Sequence, residues 1–232
     1  MIYVMSDIHG CFDKYKEMLD KINFGKDDTL YILGDVVDRG EDGIKVLRHM
    51  MSHENIIPII GNHEYMAYLI LKDLSVEITE ENYDKLYDCI DIMELMDWMD
   101  NGGEPTMKGF TALSREDRER VLDYIGDFSS YEELNVNGID YILVHAGLYD
   151  FSPEKDMEEY DIYDLIWERT DYKKVYFKDK IVVTGHTPTV MIDSDYEGRI
   201  YKKNNHIAID CGAVFVGVLG CICLDTMEEF YV

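Results

Sequence analysis

The side chains of this chain that could do chemistry are concentrated in five short motifs. Asp7-Ile8-His9-Gly10 comes first, followed by Gly34-Asp35-Val36-Val37-Asp38-Arg39-Gly40, Gly61-Asn62-His63-Glu64, His145-Ala146-Gly147 and Gly185-His186-Thr187-Pro188. Their donors are carboxylates, imidazoles and one amide, with no thiolate. Such nitrogen and oxygen ligands suit Mn, Fe or Zn and suit calcium poorly. An Asp, His, Asp, Asn, His, His series is too many donors for one catalytic ion that must keep open positions. It fits two ions about 3.5–4 Å apart that share a carboxylate, activate a water and clamp phosphoryl oxygens.

Taken singly, each motif has a commonplace reading. Asp-x-His after a strand reads as a cap or turn, and Gly-Asn-His-Glu as a turn. His145 or His186 alone reads as a hydrogen-bonded core histidine, and Asp-Arg-Gly as an exposed turn with a surface ion pair. Their joint occurrence, in one order and each after a strand, has no such reading.

The elements that must position these motifs are legible in the hydrophobic periods. Ile2 to Met5, Thr29 to Leu33 and Ile56 to Ile60 read as short buried strands. Between them Phe12, Tyr15, Leu19 and Ile22, then Ile44, Leu47 and Met51, recur at helical spacing. A β-α-β-α-β pattern implies a parallel sheet covered by helices. Loops beyond the carboxyl ends of its strands converge on one crevice, so residues far apart in sequence can meet there. Further strands are expected at Tyr141 to Val144, Ile181 to Thr184, Ile207 to Ile209 and along the apolar run Val214 to Leu224. With few helices between them, they imply a mixed sheet, or two sheets packed together.

Residues 65 to 125 differ in character. Eleven acids face a single base, Lys85, between Asp73 and Glu104. Met93, Leu95, Met96, Trp98 and Met99 supply an apolar stripe, so the segment reads as an acidic helical insertion in one domain spanning residues 1–232. The Met and Trp side chains read as core rather than as a cofactor box.

Composition limits the partners. The 232 residues carry 22 basic and 48 acidic side chains, a net charge of −26, which opposes binding to long nucleic acids and anionic membranes. No apolar run is long enough to span a bilayer. Asp7 and His9 follow the apolar start at once, unlike a signal peptide; a cytoplasmic protein is therefore expected. Cys11, Cys89, Cys211, Cys221 and Cys223 are odd in number and lack C-x-x-C spacing, so all five read as reduced core or near-core thiols. His49 and His53 read as surface residues, while His206 matches no motif and Glu64 has no assigned role.

The series D-x-H-G, G-D-x-x-D-R-G, G-N-H-E, H-A-G and G-H-T-P resembles the calcineurin-like metallophosphoesterases. More narrowly, it resembles the phosphoprotein phosphatases and their small bacterial and phage members. Trp167-Glu168-Arg169 and Ile209-Asp210-Cys211-Gly212-Ala213-Val214-Phe215 extend the similarity over nearly the whole chain. The resemblance implies an α/β fold in which mixed β-sheets pack as a sandwich flanked by helices. It also implies two divalent ions, with Mn first and Fe or Zn as alternatives. Asp7 and His9 would hold one ion, Asn62, His145 and His186 the other, and Asp35 would bridge both. His63 would be the general acid, oriented and charged by Asp38, and Arg39 and Arg169 would bind phosphoryl oxygens.

The leading substrate on this reading is phosphoserine or phosphothreonine in proteins, or a small phosphoester. The alternative is hydrolysis of a dinucleoside polyphosphate such as diadenosine tetraphosphate. By the family pattern, the symmetrically cleaving hydrolases lack the aspartate of Asp-Arg-Gly and carry Gly-Asn-His-Asp. Asp38 and Glu64 therefore argue against that branch, though not against asymmetrically cleaving relatives. A non-catalytic scaffold is disfavoured because no ligand position and no general acid is missing. Oligomeric state is not legible.

Overall fold

A computed structural model describes residues 1–75 and 91–232. Three parallel strands, β1 (Ile2–Met5), β2 (Thr29–Leu33) and β3 (Ile56–Ile59), are joined by crossover helices α1 (Phe12–Lys21) and α2 (Gly43–Met50). Pro58, opposite Ile32, is tolerated in β3 because that strand is the sheet's edge and needs no donor on its free side. Alternation along the strands sorts the side chains. Met5, Leu30 and Ile32 join Tyr15, Met18 and Leu47 of the covering helices, while Val4, Tyr31, Leu33 and Ile59 face the opposite way.

Those latter residues meet a second sheet. After helix α3 (Asn62–Leu74) come α4 (Ile92–Asp100), α5 (Glu104–Thr111) and α6 (Arg115–Gly126), then β4 (Tyr131–Val136) and β5 (Ile139–Val144). Helix α7 (Ile162–Ile166), β6 (Lys180–Thr184), the short α8 (Thr189–Ile192), β7 (Tyr201–Lys203) and β8 (His206–Ala208) follow. This sheet runs β4-β5-β6-β8-β7, with parallel β5/β6 and β6/β8 pairs and antiparallel edges. Tyr141, Leu143, Val183 and Ile207 fill the space against Val4, Tyr31 and Leu33. The first sheet is completed by β9 (Gly220–Cys223), antiparallel to β1, and β10 (Glu229–Tyr231) beyond it. The architecture is the expected one, two mixed sheets packed as a sandwich and flanked by helices.

Two expectations change. The run Val214 to Leu224 is a strand only from Gly220. Upstream, the amides of Val216 and Gly217 both donate to the Gly212 carbonyl, and Gly212 and Gly217 hold φ of 81° and 85°. That turn, open to glycine alone at little cost, swings Phe215 out to 69% exposure. In the insertion, Asp91 caps α4 by accepting from the amides of Met93 and Glu94. Trp98 is fully buried with Leu95 and Met99 packed around the same core, but Met93 and Met96 face solvent. The expected stripe is therefore narrower than the sequence suggested. The part of the insertion at 76–90, with Cys89, lies outside the described residues. Cys11, Cys211, Cys221 and Cys223 are free thiols, the last three buried. No helix among the described residues is long and apolar enough to cross a membrane.

Candidate active site

Each motif leaves the carboxyl end of a strand. Asp7 follows β1, Asp35 follows β2, Asn62 follows β3 and opens α3, His145 follows β5 and His186 follows β6. The loops are tied together through backbone, with His9 N donating to Asp35 O at 2.8 Å, Gly10 N to Val36 O at 2.8 Å and Gly185 N to His145 O at 2.8 Å. Asp7, His9, Asp35, Asp38, Arg39 and His186 all have positive φ, between 44° and 67°. Non-glycine residues adopt that conformation at a cost, and clusters of it mark functional sites. At Gly34, φ is 74° and an added Cβ would sit 2.5 Å from Gly61 Cα, so glycine is what lets the second and third loops touch.

Asp35 lies at the centre. Its Oδ2 is 3.5 Å from His9 Nε2 and 3.9 Å from His63 Nε2, while its Oδ1 is 3.3 Å from His145 Nε2. Two groups of ligand-capable atoms, each within 4.8 Å of one another, share this carboxylate: His9, Asp35 and His63, and Asp35, His145 and His186. Asn62 Oδ1 reaches His145 Nε2 at 3.0 Å and His186 Nδ1 at 3.1 Å. Asp7 stands to one side, both its oxygens accepting from the His186 amide at 3.1 and 3.0 Å. The two groups thus contain four of the six expected ligands, His9, Asp35, His145 and His186, and add His63; Asn62 bonds His145 and His186, while Asp7 lies outside both groups.

The donor chemistry fits divalent cations. His9 Nδ1 donates to the Val37 carbonyl at 2.9 Å and His145 Nδ1 to the Leu33 carbonyl at 2.6 Å, which leaves the Nε2 lone pairs aimed inward. The His145 Nε2 lone pair therefore faces two oxygen acceptors, Asn62 Oδ1 at 3.0 Å and Asp35 Oδ1 at 3.3 Å, an arrangement a cation resolves. Burial holds His9 and His145 well below the usual imidazole range, and His186 is pushed down to about 4 by burial and then by Arg169. Neutral imidazole is the form that ligates. Burial also drives the carboxyls of Asp7 and Asp35 well above their usual range, a cost that nearby cations remove.

His63 Nδ1 donates to Asp38 Oδ2 at 2.7 Å, as the sequence implied. Two residues that sequence reasoning did not assign to the site hold the same carboxylate. Trp98 Nε1 donates to Asp38 Oδ2 at 2.8 Å and Thr106 Oγ1 to Oδ1 at 2.6 Å, both from the helical insertion. Neither lies in a motif, so no local signal pointed to them. The His63 pKa runs against the charging by Asp38 that the resemblance implied. Burial and then the Arg39 guanidinium lower it to about 3, while burial raises Asp38 to about 7 against the Thr106 and Trp98 donors. Desolvation outweighs the carboxylate.

Arg39 spans the centre, Nη1 on His9 Nε2 and Nη2 on His63 Nε2 at 3.0 Å, with its guanidinium 5.0 Å from the centroid of the Phe215 ring. Arg169 lies at the rim, with Nη1 3.7 Å from Met191 Sδ. Both arginines, His63, Trp167, Asp210 and Phe215 line a cleft of about 540 Å³. Glu64, unassigned from sequence, is fully buried and accepts from the amides of Asp35 and Val36 at 2.7 Å and of Val37 and Gly61 at 3.1 Å. It sets the backbone that carries Asp35. His49 is half-buried rather than a surface residue, bonded to Tyr15 Oη and Lys16 Nζ, and His206 is buried in β8 against Thr184.

The family model for calcineurin-like phosphoesterases matches residues 1–210. A protein of Nitrosospira multiformis named bis(5'-nucleosyl)-tetraphosphatase, symmetrical, is 31% identical over 149 residues, covering 63% of this chain and 43% of its own. One of Wigglesworthia glossinidia brevipalpis with the same name is 36% identical over 99 residues, 42% of this chain and 36% of its own. The chain thus spans less than half the length of these curated relatives. In fold, a crystal structure described provisionally as a diadenosine tetraphosphatase aligns with a TM-score of 0.66 at 17% identity, covering 100% of this chain and 92% of that one. A Saccharomyces cerevisiae serine/threonine phosphatase similar to human PP5 aligns at 0.59 and 13%, covering 100% and 78%.

Proposed function

Since the chain belongs to the calcineurin-like phosphoesterase family, we propose that it is a metal-dependent hydrolase that cuts a phosphoanhydride of dinucleoside polyphosphates. The observation that carries the substrate class is the bare apolar wall of the cleft. Phe215 is 69% exposed and Trp167 37% exposed beside the guanidinium groups, and uncovered aromatic faces next to a phosphate site suit stacked bases. The names of the curated relatives support the same class.

When bound, two divalent ions at such a site supply a nucleophilic water and Lewis acidity toward phosphoryl oxygens. Asp7, His9, Asp35, Asn62, His145 and His186 would hold them, with Asp35 shared. Arg39 would exchange its histidine contacts for phosphoryl oxygens, and Arg169 would meet the same group from the rim, each as a guanidinium fork. Once Arg39 turns to the phosphoryl group, His63 would take up a proton on Nε2 and give that proton to the departing oxygen, while Asp38 holds Nδ1–H and compensates the imidazolium.

That last role supports a second reading, hydrolysis of phosphoserine or phosphothreonine monoesters. A nucleotide leaving from an anhydride is already a stable anion, whereas a serine alkoxide needs a proton, and the Asp38–His63 pair is equipped to supply one. Purified protein should be assayed with Mn²⁺ against diadenosine tetraphosphate, phosphoserine and phosphothreonine peptides and p-nitrophenyl phosphate. The first should show the highest kcat/KM. Phosphopeptide turnover exceeding it by about two orders of magnitude, or about 2.7 kcal/mol, makes the monoester reading correct instead. Full activity after chelation, with metal absent by elemental analysis, contradicts both.

A further inference from the structure

A second cavity, of about 320 Å³, adjoins the cleft, with Asn101 and Trp167 lining both. Its size lies at the lower end of ligand pockets, about 300–1,000 Å³. Tyr65 and Tyr163 meet edge to face there, ring centroids 5.3 Å apart, with the Tyr65 hydroxyl 3.3 Å from that of Tyr163. Tyr163 and Trp167 are 51% and 37% exposed, so aromatic surface is left uncovered. Glu94, Asp97 and Asn101 supply acceptors, and the lining residues include neither lysine nor arginine.

This chemistry selects its ligand. A phosphate would be repelled by Glu94 and Asp97, and among the residues lining the two cavities its cations are Arg39 and Arg169, in the cleft. What enters beyond Trp167 must be attached to that phosphate, present a flat apolar face and offer hydrogen-bond donors to carboxylates. An amino-bearing base with its ribose hydroxyls has those properties. We propose that this cavity is the subsite for one nucleoside of a dinucleoside polyphosphate, whose scissile phosphate lies in the cleft; it rests on the dinucleoside reading above. The acidic insertion thereby acquires a part in substrate choice, since Glu94, Asp97 and Asn101 belong to α4 and its end.

The test uses the whole chain with Mn²⁺ and compares wild type with Tyr163→Ala, Tyr163→Phe and Asp97→Asn. KM and kcat are measured on diadenosine tetraphosphate and on p-nitrophenyl phosphate, which has no nucleoside. Tyr163→Ala should raise KM for the dinucleotide about tenfold, the usual scale of a lost base–aromatic contact, and leave the small substrate unaffected. Tyr163→Phe should keep most of the affinity. Asp97→Asn should weaken it in the same direction, and adenosine should compete with the dinucleotide less well in both weakened variants. If wild type turns over the dinucleotide but neither Tyr163→Ala nor Asp97→Asn changes its KM, the subsite is wrong and the substrate class stands. Equal losses on both substrates also overturn it, by showing a structural role for Tyr163. If wild type ignores the dinucleotide and cuts phosphopeptides, the substrate reading itself fails. A KM rise on those peptides in Tyr163→Ala then identifies the cavity as a peptide site.

Discussion

The indole nitrogen of Trp98 donates a 2.8 Å hydrogen bond to Asp38 Oδ2, the oxygen that also accepts from His63 Nδ1 at 2.7 Å. A fully buried side chain of the acidic insertion is thus two hydrogen bonds from the proposed general acid, His63, with Asp38 between them. Thr106 completes the set on Oδ1, so Asp38 accepts three donors in a dry site. Those bonds favour the carboxylate and offset part of its desolvation.

Trp98→Phe keeps most of the buried volume and removes the donor. Asp38 then loses a bond that lowers its pKa, so the acid limb of the pH–rate profile should move to higher pH. The rate on an alkyl phosphate should fall about tenfold, the order of one charge-assisted hydrogen bond expressed in the transition state. Metal content should not change. A profile that keeps its position, with the rate lost equally on all substrates, assigns Trp98 to packing alone.

Glu64 carries a different load. Its two oxygens accept four backbone amides from the loops that hold Asp35 and Gly61. In Glu64→Gln one oxygen becomes an NH₂ that faces donors, leaving buried amides unpaired at a cost of about 2–4 kcal/mol. For a chain of this size Tm should drop by roughly 5–15 °C. Because the Asp35 backbone shifts with the loop, metal affinity should fall too. An unchanged Tm, read by differential scanning calorimetry, rules out this bracing role.

What the sequence made legible follows from how the site is built. Asp7, Asp35, Asn62, His145 and His186 sit in contiguous motifs just beyond strands whose apolar periods are strong, so both the candidate ligands and their convergence could be read locally. Trp98 and Thr106 reach Asp38 across 60 and 68 residues from helices with no motif, and nothing in local spacing encodes that contact. The Asp38–His63 contact was implied by two motifs, while the depth of burial that opposes a charge on His63 was not visible in the sequence. The run Val214 to Leu224 looked like one strand because its apolar content outweighed Gly217, whose left-handed backbone lies in the turn before the strand begins at Gly220. Strands β4, β7 and β10 are partly exposed edges, where the alternation that marks a buried strand is weak.

His206 offers a stability test remote from the cleft. Burial lowers its pKa from 6.5 to about 3, and its Nε2 bonds Thr184 Oγ1 at 3.0 Å, while Nδ1 has no hydrogen-bond partner among the described residues. The unfolded chain takes up a proton below 6.5 that the folded chain refuses. Its contribution is therefore intact above that pH and lost as pH falls toward 3, at up to about 1.4 kcal/mol per pH unit. His206→Gln should flatten the decline of stability between pH 6 and 4, measured by urea unfolding. Parallel curves for the two proteins exclude His206 as a source of acid sensitivity.

His63 is the residue on which binding and chemistry separate. If it gives a proton to the departing oxygen, His63→Asn should lower kcat on an alkyl phosphate by roughly 10²–10⁴-fold, the range of a positioned proton donor. The loss should be far smaller on p-nitrophenyl phosphate and on diadenosine tetraphosphate, whose leaving groups are stable anions. Asp38→Asn should act in the same direction and more mildly, and the double variant should lose little beyond His63→Asn, since one unit is removed twice. Metal content decides between this role and ligation. His63 Nε2 is 3.9 Å from Asp35 Oδ2 and within the same group as His9, but its Nδ1 is committed to Asp38 and its Nε2 meets Arg39. Two ions per chain in His63→Asn, with the leaving-group dependence intact, support the acid. One ion, or equal losses on every substrate, makes His63 a ligand. Arg39→Ala provides the contrast: it should raise KM for all of these substrates whatever their leaving group, because its proposed partner is the phosphoryl oxygen they share.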